Sequence, residues 1–302
     1  MSLHQDRDWV VIVTGAGRGI GAEHARHMAQ DGYQVVANDL GCEVDGSGSD
    51  PCVAHSIADE INSFGGRAVA SSHDVSNYAQ AADLVALALD AFGRLDGLVN
   101  NAGVVLDRMF VNMSPTEWDF ALRMNLDSVF NLSRHAASHW RERSRGAAGH
   151  RARIVNTTSG AGLLGSVGQS NYVAAKAAIA ALTINQAAEL GRYGVTANAV
   201  APIARTRLTQ TVFAEMMDAS RSDVDLMHPR SIAPVVSWLA GPDSGLVTGR
   251  VFEVGNGTTT LMDGWHRDVS VPLPVGAPTG EIGGAIAGLL STARVQEPAY
   301  GV

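Results

Sequence analysis

Residues 10–21 read V-V-I-V-T-G-A-G-R-G-I-G. Val10–Val13 is a short β-branched run, the pattern of a buried strand. Thr14–Gly21 follows as a glycine-rich turn, and Ala22–Gln30 continues as a helix. A strand that turns through glycines into a helix N-terminus offers backbone N–H groups and the positive end of a helix dipole. Both suit a pyrophosphate. A glycine cluster alone is a weak signal; its place after the first strand of an alternating pattern gives it weight.

Outward from this turn, strand and helix signals alternate. Gln34–Asn38 reads as a second strand, the polar Gly-rich residues 41–52 as a long loop, and Ala54–Phe64 as a helix with Ile57 and Ile61 on one face. A third strand starts at Ala68–Ser71 and ends near Asp74. Ala79–Phe92 reads as a helix and Leu95–Asn100 as a strand. Ser-Pro-Thr-Glu at 114–117 is a capping-box start with Pro115 at the first helical position. It opens a long helix through Asn125 to about Arg143, with room for a break. Strands at Arg153–Thr158, Val195–Val200 and Arg250–Val254, with helices at Asn171–Gly191 and Arg230–Leu239, complete the series.

Short apolar strands alternating with helices predict an α/β fold. The expected architecture is a Rossmann-type doubly wound parallel sheet of about seven strands, helices on both faces and right-handed crossovers. No internal repeat or linker interrupts it, so residues 1–264 are expected to form one dinucleotide-binding domain. Residues 265–302 form a C-terminal extension rich in Gly, Pro, Ala and Val with no clear period. Two readings of it stay open: packing on a neighbouring subunit, or loose order.

The bulk properties agree. The 302 residues are 46% hydrophobic and include 33 glycines, enough for a large core with many tight turns. A net charge of −8 argues against nucleic-acid binding, which needs clustered Lys and Arg. The basic tract Arg141–Arg153 reads as a solvated helix end and loop. The two cysteines, Cys42 and Cys52, fit a reducing compartment and lack histidines at zinc spacing. MSLHQDRDWV is not a signal peptide, and no stretch of ~18 uncharged apolar residues suggests a membrane span, so a cytoplasmic protein is expected. His24 with His27, and His135 with His139, have no carboxylate or cysteine at convincing spacing; no metal is expected.

An acid stands where the second strand ends. Asp39, 24 residues after Gly15, can accept hydrogen bonds from adenosine ribose hydroxyls and repel a 2′-phosphate, which favours NAD over NADP. Arg18 is the counter-signal, because a basic residue in the turn can serve a 2′-phosphate. Further on, Tyr172 and Lys176 share one helix face four residues apart. A free tyrosine, with a pKa of roughly 10, is a poor base at neutral pH. A nearby ammonium and an oxidised nicotinamide ring favour the phenolate, so Tyr172 can exchange a proton with a substrate oxygen. The pair means little alone, but Ser159 lies thirteen residues earlier at the end of a strand, Asn100–Gly103 ends another, and Asn125 follows.

With T-G-x-x-x-G-x-G at Thr14–Gly21, Asp74-Val75, N-N-A-G at Asn100–Gly103 and the set Asn125, Ser159, Tyr172 and Lys176, residues 8–258 resemble the short-chain dehydrogenase/reductase family. The resemblance implies an oxidoreductase interconverting a secondary alcohol and a ketone with NAD. It makes Tyr172 the acid/base, Ser159 the carbonyl-positioning group, Lys176 the ribose-holding and pKa-lowering cation, and Asn125 the support of a water-linked proton relay. The implied cofactor contacts are Gly15, Arg18, Gly19, Ile20, Gly21, Asp39, Leu40, Asp74, Val75, Asn101, Ala102, Gly103, Tyr172, Lys176, Pro202 and Thr206. One departure stands out: Ile203 follows Pro202 where the family has glycine, which puts the backbone contacts of residues 203–205 in doubt. The family's pairing helices imply a homodimer or homotetramer, with Ala174, Ala178, Ala181 and Leu182 on the packing face.

Three stretches at strand ends qualify for the substrate: Val104–Met113 with Met109, Phe110 and Met113; Gly160–Gln169 with Leu163 and Leu164; and Leu208–Met217. Their apolar, Met-rich character suits an apolar or acyl small molecule, though ordinary core packing suits it equally. A finer likeness, in V-A-N-D-L-G at 36–41 and F-E-V-G at 252–255, is to the (3R)-hydroxyacyl-CoA dehydrogenase domain of peroxisomal multifunctional enzyme type 2. Alternatives are 3-oxoacyl-carrier-protein reduction, a steroid or cyclic alcohol, and a non-catalytic dinucleotide-binding regulator. Arg205 and Arg207 can meet a CoA phosphate or make surface ion pairs.

Overall fold

The computed structural model describes residues 8–43, 46–146, 150–206, 225–262, 264–267, 269–273, 275–293, 295 and 297–301. Each β-branched run becomes a strand of one sheet: β1 (Val10–Thr14), β2 (Gln34–Asn38), β3 (Arg67–Ser71), β4 (Gly97–Asn100), β5 (Ala152–Thr157), β6 (Val195–Ile203) and β7 (Val251–Gly255). These seven run parallel in the order β3-β2-β1-β4-β5-β6-β7. The helices are α1 (Gly19–Gln30), α2 (Cys52–Ser63), α3 (Tyr78–Phe92), α4 (Pro115–Leu122), α5 (Ser128–Gly146), α6 (Gly160–Leu164), α7 (Ser170–Leu190), α8 (Ala233–Ala240) and α9 (Thr279–Thr292).

Both faces of the sheet are covered, because side chains alternate along each strand. Val11 and Val13 of β1 pack with Ala25 and Met28 of α1, Ile57 and Ile61 of α2, and Val236 and Leu239 of α8. Val10 and Ile12 face the other way, into Leu84 of α3 and Leu132 and Trp140 of α5. The strand order reverses between β1 and β4, so their carboxyl ends open a crevice there, where ligands bind in such sheets.

The expected seven strands are one short. An eighth, β8 (Thr258–Met262), pairs antiparallel with β7, Gly255 opposite Thr258. The two-residue turn is Asn256-Gly257, both with positive φ (50° and 72°), the conformation that a two-residue hairpin favours. The strand T-T-T-L-M is mostly exposed, so it carries no buried apolar pattern. The long helix does break: α4 and α5 are joined by a π-helical turn, Arg123–Asp127, around Asn125. The capping box forms as expected, with Ser114 Oγ accepting from Glu117 N and Ser114 N donating to Glu117 Oε2 at 2.8 Å.

The basic tract is not wholly solvated. Arg153 is 1% exposed. It lies in β5 and donates to the carbonyls of Gly241, Pro242 and Ala152 and to Ser244 Oγ, with its guanidinium over the Trp9 ring. Cys42 and Cys52 are both free thiols. No described helix is long and apolar enough to cross a membrane.

His24 makes the fold acid-sensitive. It is buried on α1, and its Nδ1 has no hydrogen-bond partner among the described residues. Burial, then the neighbouring His27, lowers its pKa from 6.5 to about 3. The unfolded chain therefore binds a proton that the folded chain refuses between those values. This contribution to stability is full above pH 6.5 and is lost as pH falls toward 3. Between pH 7 and pH 5 the loss is on the order of 2 kcal/mol. Urea midpoints for His24→Leu should show a shallower pH dependence than the wild type; parallel curves would refute this.

Candidate active site

The glycine turn is compressed to a degree that only glycine permits. Gly15 and Gly19 have φ of +63° and +53°. A Cβ on Gly21 would lie 2.0 Å from the Gly15 carbonyl oxygen, and one on Gly17 would lie 2.2 Å from Val53 Cγ1. Arg18, at the N-cap of α1, provides no side-chain cap, and the first turn holds no acid. The N-terminal N–H groups of α1 thus face the crevice uncapped, which fits an anion.

Thr14 ties the two strands that flank the crevice. Its Oγ1 accepts from Asn101 N and Ala102 N at 3.0 Å, while Asn101 Nδ2 donates to the Thr14 carbonyl at 3.1 Å. Asp39 follows β2 directly. Its Oδ2 accepts from Gly17 N at 2.8 Å and its Oδ1 from Gly41 N at 2.7 Å. Each carboxylate oxygen keeps a further lone pair for a ligand hydroxyl. Arg18 Nη1 donates to the Cys42 carbonyl at 3.3 Å. Asp74 closes this end, accepting from Ser76 N at 2.9 Å.

At the other end, Ser159 leaves β5 as the N-cap of α6, its Oγ accepting from Ala161 N at 3.2 Å. Tyr172 stands in the first turn of α7, with its hydroxyl close enough to that of Ser159 for the latter to lower its pKa. Lys176 follows one turn later. Its Nζ donates to the Thr157 carbonyl at 2.9 Å and lies 5.5 Å from the centroid of the Tyr172 ring. Burial lowers the Lys176 pKa to about 8. Asn125 Nδ2 donates to the carbonyls of Val104 and Ala121, both at 2.9 Å, leaving Oδ1 buried without a partner among the described residues. A Cβ on Gly103 would fall 2.5 Å from that Oδ1 and 3.4 Å from Lys176 Nζ. Glycine at 103 therefore keeps space between the two groups. Below them, Asn156 bonds Asn100, Thr183 and Gln186 in a buried polar network.

One expectation changes. The Tyr172 hydroxyl sits above its usual value: burial raises it most, the Ser159 bond lowers it, and Asp107 raises it further. Tyr172 keeps an edge on the cleft, yet enough protein surrounds its hydroxyl for burial to dominate. The Lys176 ammonium, one helical turn on, is directed at the Thr157 carbonyl.

Every residue named from the sequence for cofactor or chemistry lines a single cleft of about 640 Å³: Gly15, Arg18, Gly19, Ile20, Gly21, Asp39, Leu40, Asp74, Val75, Asn101, Ala102, Gly103, Asn125, Ser159, Tyr172, Lys176, Pro202 and Thr206. Ile203 also lines it, as the last residue of β6. Sequence reasoning missed Asn38, His73, Met124 and Tyr300 on its walls, whereas Val104, Val105, Gly160, Ala161 and Gln169, from two of the expected substrate stretches, do line it. Other members of those stretches do not. Phe110 is 73% exposed on a surface turn. Leu163 packs against Ala180, Ala199 and Val251 in the core. Leu208–Met217 and Arg207 lie outside the described residues. Arg205 forms an ion pair with Asp225. No group of three metal-ligating side chains occurs among the described residues.

The crevice, the glycine turn and the serine–tyrosine–lysine cluster together define a dinucleotide-dependent oxidoreductase site. A family model described as short chain dehydrogenase matches residues 9–217, and the chain belongs to that family. It is an oxidoreductase acting on hydroxyl and keto groups, in a family whose members bind a nicotinamide dinucleotide. It is 42% identical over 265 residues to hydroxyacyl-CoA dehydrogenase ChsB1 of Mycobacterium tuberculosis, covering 86% of this chain and 81% of that protein. It is 38% identical to peroxisomal multifunctional enzyme type 2 of Mus musculus over 248 residues, 82% of this chain but 32% of the mouse protein. The crystal structure of a short chain dehydrogenase from Mycobacterium avium matches with a TM-score of 0.87 at 47% identity, covering 98% and 99% of the two chains.

Proposed function

We propose that this enzyme is an NAD-dependent dehydrogenase of (3R)-hydroxyacyl-CoA thioesters, with Tyr172 as the proton-transfer residue. The observation that carries the reading is the cleft itself. Uncapped helix N–H groups and the Asp39 carboxylate stand at one end, and Ser159 and Tyr172 at the other. The names of the relatives support the substrate class.

The residues present fit a nicotinamide dinucleotide. The glycine turn leaves room where side chains would intrude, and α1 offers its N–H groups to a pyrophosphate. The free lone pairs of Asp39 suit ribose hydroxyls, and its charge disfavours a 2′-phosphate. When bound, NAD supplies the hydride acceptor. The chain's residues handle the proton. The Ser159 hydroxyl bonds the substrate oxygen and holds it against Tyr172. As the carbinol C–H electron pair leaves and the C=O bond forms, the Tyr172 phenolate oxygen takes the hydroxyl proton. Lys176 supports the phenolate by its charge. The unpartnered Asn125 Oδ1 suits a water that leads the proton onward from this cluster.

The same reading makes the enzyme a homodimer or homotetramer through α7, where Ala174, Ala178, Ala181 and Leu182 are not buried within the chain; a monomer by light scattering would exclude it. Steady-state oxidation of (3R)-hydroxyacyl-CoA tests the function, with NAD and NADP compared side by side. Turnover with NAD is expected. Oxidation of simple secondary alcohols but of no thioester would overturn the substrate reading, and a preference for NADP would overturn the cofactor reading.

A further inference from the structure

Tyr300 of the C-terminal extension lines the active-site cleft. After β8 the chain leaves the domain, forms α9 with no buried residue, and returns. Tyr300 then docks on the segment that joins Ser159 to Tyr172. It pairs with Ser166 as a parallel bridge: Val167 N donates to the Tyr300 carbonyl at 2.9 Å, and Tyr300 N donates to the Gly165 carbonyl at 3.0 Å. The side chain crosses toward the residue after Ser159. A Cβ on Gly160 would lie 2.7 Å from the Tyr300 hydroxyl oxygen and 3.2 Å from its Cε2. A glycine at 160 is therefore what admits the ring, and the ring lines the same cleft as Ser159 and Tyr172.

Glu253, on β7, borders the same point. Its Oε1 would lie 3.1 Å from that Cβ, and the oxygen is buried without a hydrogen-bond partner among the described residues. Burial, then the nearby Glu297, raises the Glu253 carboxyl above its usual value, and burial with both acids raises the Tyr300 phenol. Both shifts favour uncharged forms. The wall beside Ser159 is thus bulky, and its two acidic groups favour their uncharged forms.

We propose that Tyr300 is a specificity-determining residue: it walls the substrate end of the cleft beside Ser159 and limits the bulk accepted next to the reacting carbon. The choice of acyl thioester as probe rests on the proposed function; the wall itself does not. Removing a wall admits larger groups, and apolar pockets discriminate by one to two powers of ten per misfit.

The experiment compares kcat/KM for (3R)-hydroxydecanoyl-CoA and (3R)-hydroxybutyryl-CoA in wild type, Tyr300→Phe, Tyr300→Leu and Tyr300→Ala, with NAD affinity read separately by fluorescence. The long-to-short ratio should rise about tenfold in Tyr300→Ala and less in Tyr300→Leu, and hold in Tyr300→Phe, with NAD affinity constant. An unchanged ratio across the series would overturn the proposal. So would a shift in Tyr300→Phe as large as in Tyr300→Ala, because the ring would then not be the determinant. If the wild type oxidises neither thioester, the substrate reading fails by itself, and the ratio is read instead on 2-octanol and 2-propanol with the same two outcomes.

Discussion

Tyr172→Phe is expected to lower kcat/KM by roughly 10³-fold or more, within the range that general acid–base groups contribute, while NAD still binds. The substitution removes one oxygen and little else. The ring keeps its place in the first turn of α7, with Lys176 Nζ 5.5 Å from its centroid. The pyrophosphate turn and Asp39 belong to other elements and are untouched, so the dinucleotide keeps most of its contacts. What disappears is the hydroxyl beside Ser159 in the cleft. The variant can position a substrate but has no group to take its proton. Turnover within tenfold of wild type would refute the mechanism.

The pH profile adds a signed check on the same assignment. Alcohol oxidation needs the phenolate, and burial raises the Tyr172 pKa. Oxidation should therefore climb with pH, by up to about tenfold per unit below the pKa in the bound state. Lys176 limits the climb. With its pKa lowered to about 8, it loses its ammonium above that pH and stops supporting the phenolate. The oxidation limb should bend near pH 8, and ketone reduction, which needs the phenol, should run the opposite way. Tyr172→Phe should lose the climbing limb.

Most of this site was legible because its chemistry is local in sequence. The turn Thr14–Gly21 lies between one strand and one helix, and the Tyr172–Lys176 pair lies on one helix face, so spacing makes both visible and the alternating pattern, Ser159 and Asn125 give them weight. The seven parallel strands were legible for a related reason: most are short apolar runs buried on both sides. β8 was not, since an exposed edge strand of threonines has no apolar face to show, although Asn256-Gly257 is a strong hairpin turn signal. Arg153 looked like one more surface arginine; its burial depends on carbonyls at Gly241 and Pro242, nearly ninety residues away. Leu163 and Phe110 were apolar residues in the right loops, but composition does not say which way a side chain points. Tyr300 was invisible for the strongest reason. It reaches the cleft through backbone pairing with Gly165 and Val167, and no residue type announces such a contact.

The proposed preference for NAD rests on a single charge, which makes it open to inversion. Asp39→Asn keeps the shape of the side chain and one acceptor oxygen but removes the negative charge. Stability is expected to fall, because the carboxylate now accepts from both Gly17 N and Gly41 N and the amide can serve only one of them. That loss burdens both dinucleotides alike and cancels from the ratio of their kcat/KM values. Two effects remain in the ratio. NAD loses charge-assisted hydrogen bonds from its ribose hydroxyls, worth about 1.5–3 kcal/mol each. NADP loses a repulsion between its 2′-phosphate and a carboxylate, and the nearest cation left on the glycine turn is Arg18. The NAD-to-NADP ratio should therefore fall by roughly 10²-fold or more. Adding Arg18→Ala to Asp39→Asn should take back most of the NADP gain and leave the NAD value little changed. If Asp39→Asn lowers both cofactors by the same factor, the carboxylate is only the clamp that holds Gly17 and Gly41, and the proposed basis for NAD selection is refuted.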